Sequence, residues 1–262
     1  MMKAAAVPKL ISPRSYNLAL GGGTAVEMYY ALKHYEEHHV APHFVVLGMG
    51  TSHWQAADCF RARTIYFHYL TWEEEREATA TVMEYPAFVP ADQRISEKEL
   101  LQYDFRQPFI YDGAFLKGIF SGRIKRNRKV YQRNRNDRGQ MYFGTATETR
   151  KQVSFPLEFH PMPAQEIYVG KIAELCKAHG SKFIIVQLPL NPADAEKLRE
   201  TGALSQAASY MKSLAAKYDI EVDTYFPSYE DDCFGDDHHV YEKGAERYSV
   251  YLKERLGLAD GD

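Results

Sequence analysis

Phe183-Ile184-Ile185-Val186-Gln187-Leu188 is the strongest strand signal in the chain, and its flanks constrain the fold most. A continuous apolar run suits a strand buried on both faces, as in a parallel sheet. Before it, Ile167 to His179 reads as a helix with Ile167, Ile172 and Leu175 on one side and Gly180 as its stop. After it, Pro189 ends the strand, and Ala193 to Tyr218 reads as helix with a break near Gly202. Phe44-Val45-Val46-Leu47, closed by Gly48-Met49-Gly50, is a second run of the same kind. Tyr16 to Leu20 reads as a short strand, followed by Gly21-Gly22-Gly23-Thr24. A helix then runs from about Ala25 to His39, with Val26, Tyr29, Tyr30 and Leu32 at helical spacing. Ile220 to Tyr225 is a last strand and Glu242 to Leu256 a last helix. Such alternation predicts an α/β fold with a parallel sheet and right-handed crossovers.

The 262 residues suffice for one α/β domain with a sizeable core. At 45% hydrophobic and 26% charged, the composition is that of a globular protein rather than a disordered one. A net charge of −3 gives no global field toward nucleic acid or an anionic membrane. Cys59, Cys176 and Cys233 have no metal-type spacing and are too few for a disulfide framework. The 19 tyrosines favour buried aromatic packing over a sugar-facing surface. No stretch approaches the roughly 18 apolar residues of a membrane span, and Met1 to Leu10 lacks the apolar core of a signal peptide. The chain as given is expected to be soluble.

Between about Arg61 and Pro163 the alternation dissolves, which predicts an insertion or cap within a single domain spanning 1–262. Glu73-Glu74-Glu75-Arg76-Glu77 reads as a solvated helix face. A basic run, Arg123-Ile124-Lys125-Arg126-Asn127-Arg128-Lys129, continues into Arg133, Arg135 and Arg138. It is either a solvated helix or a patch for an anionic polymer or lipid head group. Nucleic acid is the weakest reading, because no recognised nucleic-acid motif accompanies the run.

Sites in open parallel sheets form at the carboxyl ends of the strands. Three segments fall there: Gly21-Gly22-Gly23, Gly48 to His53, and the Asp236 to His239 segment before the last helix. Asp236 precedes His239 by three residues, and Gly244 follows His239 by five. An Asp at that spacing can reach the ring Nδ1–H, fix the tautomer and stabilise the protonated form, the orienting half of a Ser-His-Asp triad. The glycines can donate backbone N–H groups to an oxyanion, hold a phosphate, or only make a tight turn. They lack the P-loop lysine and the G-x-G-x-x-G spacing of a dinucleotide fold. Ser52 and His53 lie where a second oxyanion donor would be wanted. Asp231, Asp232, Asp236, Asp237, His238 and His239 also suit a divalent ion, although no distant ligand completes the set. His34 and His38, one helical turn apart, read as a solvated face.

Together these residues resemble the SGNH (GDSL-like) hydrolase superfamily. They are most similar to its envelope-associated branch, which includes the D-alanyl-lipoteichoic acid transfer proteins and the alginate-type O-acetyltransferases. Tyr16 to Thr24 matches the block carrying that family's oxyanion glycine, and Phe234 to Ala245 matches its terminal D-x-x-H block. The resemblance covers roughly Tyr16 to Trp54 and Gln165 to Leu256. It implies a three-layer α/β/α fold of the SGNH or flavodoxin-like type. It also implies Asp236 as orienting acid, His239 as general base, and an oxyanion N–H from Gly22 or Gly23. Asn17 and His53 are candidate substrate-site residues. The implied activity is a serine esterase or O-acyltransferase acting on an acylated glycan or polymer of the cell envelope, outside the cytoplasm. It needs no metal or other cofactor, and it can work beside a membrane-bound acyl-transfer partner. No nucleic acid is implied.

Two departures modify the expectation. Gly48-Met49-Gly50-Thr51 has no Asn where the family carries one, which leaves Thr51, Ser52 or His53 as substitutes. The family's first block, a strand ending in Gly-Asp-Ser, has no counterpart among the 15 residues before Tyr16. Lys3-Ala4-Ala5-Ala6-Val7-Pro8 resembles the segment that follows that block. The expectation is a chain that starts just after its nucleophile serine and lacks the first, central strand. The strands at Tyr16 and Phe44 then either pair directly or leave a gap, with reduced stability and little triad chemistry in the chain alone. Neither Ser15 nor Ser52 sits in a turn suited to replace the serine. The rival reading is a non-catalytic binding protein on the same fold, for an anionic glycan or polymer.

Overall fold

The computed structural model describes residues 2–55, 69–89, 116–141 and 156–259. Three strands, β1 (Phe44–Met49), β2 (Lys182–Gln187) and β3 (Glu221–Val222), form a parallel sheet in the order β1-β2-β3. Phe44 pairs with Lys182 and Met49 with Gln187, so the two apolar runs lie in register along their whole length.

The alternation of side chains along a strand divides the core into two. Val45, Leu47, Met49, Phe183 and Ile185 face a cluster built with α3 (Ala25–Glu36), α4 (Trp72–Met83), α6 (Pro163–His179) and α8 (Ala203–Tyr218). Phe44, Val46, Ile184, Val186 and Leu188 face the opposite cluster. That cluster holds Ala5 of α1 (Met2–Ala5), Ile11 of α2 (Pro8–Ile11), and Ala245, Tyr248 and Leu252 of α9 (Glu242–Arg255). The result is a three-layer α/β/α fold. The Tyr248 hydroxyl donates to the carbonyl of Gln187 at 2.7 Å, tying α9 to the end of β2. Ser249 Oγ accepts from Val7 N at 2.8 Å and fixes the α1–α2 link on the same helix.

Local chemistry sets the helix ends. α3 opens on a capping box in which the Thr24 backbone N–H and hydroxyl both donate to Glu27 Oε2 at 2.7 Å. α7 (Pro192–Glu200) is capped by Asn191 and followed by a left-handed Gly202, so the helical stretch breaks where expected before α8. Tyr30, Tyr168 and Tyr248 are fully buried, in keeping with aromatic packing as the use of much of the tyrosine content.

Three expectations are corrected. Tyr16 to Leu20 is extended but forms no strand. Asn17 takes its bonding groups elsewhere: its side chain donates to the carbonyls of Met2 and Ala6 at 3.1 Å, and its backbone N–H donates to Arg138 O at 2.8 Å. A residue bonded that way cannot run a ladder along β1. Among the described residues β1 is therefore a sheet edge, with a gap between it and Tyr16–Leu20.

The acidic run at 73–77 is solvated only in part: Glu73, Arg76 and Glu77 are exposed, but Glu74 and Glu75 are buried. Glu74 is buried and accepts from Lys33 Nζ at 2.7 Å, with His34 Nε2 at 2.8 Å. Glu77 accepts from the Tyr30 hydroxyl at 2.9 Å and pairs with Lys171. His34, read as solvated, is thus part of the tie between α3 and α4. Where the 61–163 segment is described, α4 belongs to the main core through Ala78 and Val82, together with Phe159 and Met162. Much of the rest of that segment, and Cys59 before it, lie outside the described residues.

Candidate functional site

The segment after β3 folds into a tight loop that presents Asp236 and His239. Phe234 and Val240 form an antiparallel bridge, Gly235 N donates to His239 O at 2.9 Å, and Tyr241 N donates to Cys233 O at 2.8 Å. The loop then enters α9 under a steric condition. A Cβ on Gly244 would overlap the Cys233 carbonyl and lie 3.0 Å from Val240 Cβ, so only glycine lets the helix start approach so closely.

Within the loop, Asp236 Oδ1 accepts from the backbone N–H groups of His238 (3.0 Å) and His239 (2.7 Å). Its Oδ2 lies 2.7 Å from His239 Nδ1. Burial acts to raise the Asp236 carboxyl, but these hydrogen bonds and the His239 ring outweigh it and hold the group below the usual range. An ionised carboxylate only accepts, so His239 carries its proton on Nδ1 and Nε2 is the basic nitrogen. Burial pulls the His239 ring down to about 4, against the opposing pull of Asp236, so the ring is neutral at physiological pH.

The loop is fixed from two sides. The carboxyl ends of β2 and β3 are stitched by Leu190 N to Pro227 O at 2.9 Å and Tyr229 N to Leu190 O at 3.1 Å. Asn191, at the cap of α7, donates through Nδ2 to Asp237 O at 2.8 Å. Sequence reasoning missed Asn191. Its signal was present in Asn191-Pro192, the pairing of a cap residue with proline at the first helical position.

His53 lies four residues past the end of β1. Its Nδ1 accepts from Gly50 N at 3.1 Å, which places the ring proton on Nε2 as a donor. Burial, above all, lowers this ring to about 3. The His238 and His239 rings stand 4.3 Å apart.

Of the remaining candidates, Asn17 and Gly23 lie along the edge that β1 presents among the described residues. A groove of about 1010 Å³ runs between that edge, α1, α2 and the Tyr16–Leu20 segment, with Gly23, Asn17, Met49 and His53 among its lining residues. The Gly23 N–H donates to Leu20 O at 3.0 Å, and the α3 cap donors go to Glu27 and Gln165. Those N–H groups are engaged within the protein, which leaves Gly22, left-handed at φ 76°, as the glycine of the pair not bound in that turn bond. Asn17 caps the carbonyls of α1, and Ser52 shares the turn of His53, with its carbonyl accepting from Gln55 N at 3.2 Å.

Asp236, His238 and His239 also bring three ligand atoms within 4.8 Å of one another, close enough to share a cation. The wider acidic set read from the sequence does not join them: Asp232 pairs with Lys243 at 2.5 Å.

Compared with known protein families, curated proteins and solved structures, the chain has no significant match in any of the three.

Proposed function

We propose that this protein is an SGNH-type serine esterase or O-acyltransferase that works on an acylated glycan or polymer of the cell envelope. The observation that carries the reading is the 2.7 Å contact between Asp236 Oδ2 and His239 Nδ1 in a loop beyond the carboxyl ends of a parallel sheet. His239 Nε2 takes the proton of a serine hydroxyl as that oxygen attacks the ester carbonyl. Asp236 stabilises the imidazolium that forms, and the imidazolium then protonates the leaving alkoxide. His53 Nε2–H and the backbone N–H of Gly22 stabilise the oxyanion, with His53 taking the part that Asn plays in the SGNH family that the chain resembles. Water or an acceptor hydroxyl then attacks the acyl-serine, giving hydrolysis or transfer. The groove along β1, a sheet edge among the described residues, supports this reading as the place for the serine.

A fluorophosphonate tests this on the protein isolated from its own cell. Attack by an activated serine displaces fluoride and leaves a phosphonyl adduct that peptide mapping locates. One labelled serine is expected, with labelling lost in His239→Ala. No labelled serine, or labelling indifferent to that substitution, contradicts the proposal. The groove and the basic helix Arg123–Asn136 support a second reading, a non-catalytic binding protein for an anionic glycan or polymer.

A further inference from the structure

The helix α5 (Arg123–Asn136) is unlike every other long helix described here, because none of its side chains is buried. It carries seven lysines and arginines and no acidic residue, on a chain whose net charge is −3. A helix without a buried face gains little from its own fold and is normally stabilised by something else. The charge is joined by exposed apolar groups. A helical turn at 116–120 precedes α5, and the left-handed Gly122 (φ 67°) folds it back so that the Cβ position of Gly118 lies 3.6 Å from Ile124. Leu116, Ile119 and Phe120, at i, i+3 and i+4, share one face of that turn, with Phe120 88% exposed and Leu116 54%. Tyr131 is 68% exposed further along.

Among the described residues the arm is anchored at its carboxyl end. Arg133 reaches Asp137 at 3.9 Å, Asp137 accepts from Lys9 Nζ at 3.2 Å, Asn17 N donates to Arg138 O at 2.8 Å, and Met141 N donates to Lys3 O at 3.0 Å. Beyond these contacts α5 projects its cations and its apolar tip together.

We infer that α5 and the 116–120 turn dock on an anionic lipid bilayer, with the arginines and lysines at the head groups and Phe120, Leu116 and Ile119 inserted at the acyl boundary. Cations alone would suit any polyanion. The exposed Phe, Leu and Ile gain nothing from a phosphate backbone but lose water at a membrane interface. The apolar patch alone would suit a neutral bilayer, yet the seven cations complement an anionic one. No crossing of the membrane is involved: among the described residues no helix is long and apolar enough to span one.

The test is sedimentation of the full chain with vesicles of phosphatidylcholine, with and without phosphatidylglycerol, at low and high salt. Binding is expected only with phosphatidylglycerol and is expected to weaken with salt. Neutralising Lys125, Arg126, Arg128 and Lys129 together as glutamine should lower the partition coefficient about fivefold per residue. Phe120→Ser should lower it about tenfold. Since α5 buries no side chain and Phe120 is exposed, both variants should keep the wild-type circular dichroism and urea midpoint. Equal binding to both vesicle types, no binding to either, or indifference to both variants overturns the inference. So does tighter binding to single-stranded DNA than to the anionic vesicles at the same salt, which would mark α5 as a nucleic-acid arm.

Discussion

Asp236 holds His239 twice: Oδ2 meets the ring Nδ1 at 2.7 Å, and Oδ1 accepts the His239 backbone N–H at 2.7 Å. One carboxylate therefore fixes both the position and the tautomer of the ring. Asp236→Asn keeps the volume but removes the charge. The His239 ring, already lowered by burial, should then titrate at still lower pH, as read from its ring nitrogens by NMR. The proposed esterase activity should fall about ten-thousand-fold. A ring pKa that rises, or does not move, contradicts this coupling.

Acid should destabilise the fold through the same groups. In the unfolded chain His53 and His239 take up protons near pH 6.5, whereas in the folded protein they do so near 3 and 4. Between these values the unfolded chain holds more protons, so stability falls as pH drops from about 6.5 toward 4. The lowered carboxyl of Asp236 extends the loss below about pH 4. The combined effect is of order a few kcal/mol, discounted because water still reaches His239. Urea midpoints across this range should show the slope, and His53→Gln should flatten it. A midpoint unchanged between neutral pH and pH 5 would argue against buried neutral rings.

Gly244→Ala should damage the loop rather than the chemistry. Its Cβ meets the Cys233 carbonyl, which is backbone and cannot yield cheaply. A loss of about 1–3 kcal/mol is expected by urea denaturation, with the His239 ring resonances displaced. Gly118, which needs no left-handed backbone and whose added Cβ meets only Ile124 at 3.6 Å, offers a comparison that lacks the clash.

Asn191→Ala removes both a helix cap and the tie to Asp237. Asp194 N loses its acceptor at 2.9 Å and Asp237 O loses its donor at 2.8 Å. About 1–2 kcal/mol of stability should be lost, with faster amide exchange across 235–239. Loss of stability without faster exchange there would mean that Asn191 serves α7 alone.

The legible part of this fold was local. Phe44 to Leu47 and Phe183 to Leu188 are strands because their apolar runs need two covered faces, and the helical break at Gly202 follows from its lack of Cβ. The Asp236–His239 contact was legible for the same reason, since both partners lie within one turn of chain. The parts not read depended on distant partners. Tyr16 to Leu20 has the composition of a strand, but Asn17 bonds to the carbonyls of α1 and to Arg138. Glu74 looks like one of a solvated run until Lys33 and His34, some 40 residues earlier, close on it. The engagement of the Gly23 N–H by Leu20 and the locked tautomer of His53 are turn geometries, which residue types alone do not distinguish from open donors.

The central claim is that His239, and not its neighbour His238, is the general base of an acyl-transfer site. It is tested most directly by hydrolysis of p-nitrophenyl acetate by the protein from its own cell, comparing His239→Ala with His238→Ala. The account predicts a loss of about ten-thousand-fold or more in kcat for His239→Ala, and a small change for His238→Ala. Equal activity in the two variants, or a larger loss at His238, would contradict it.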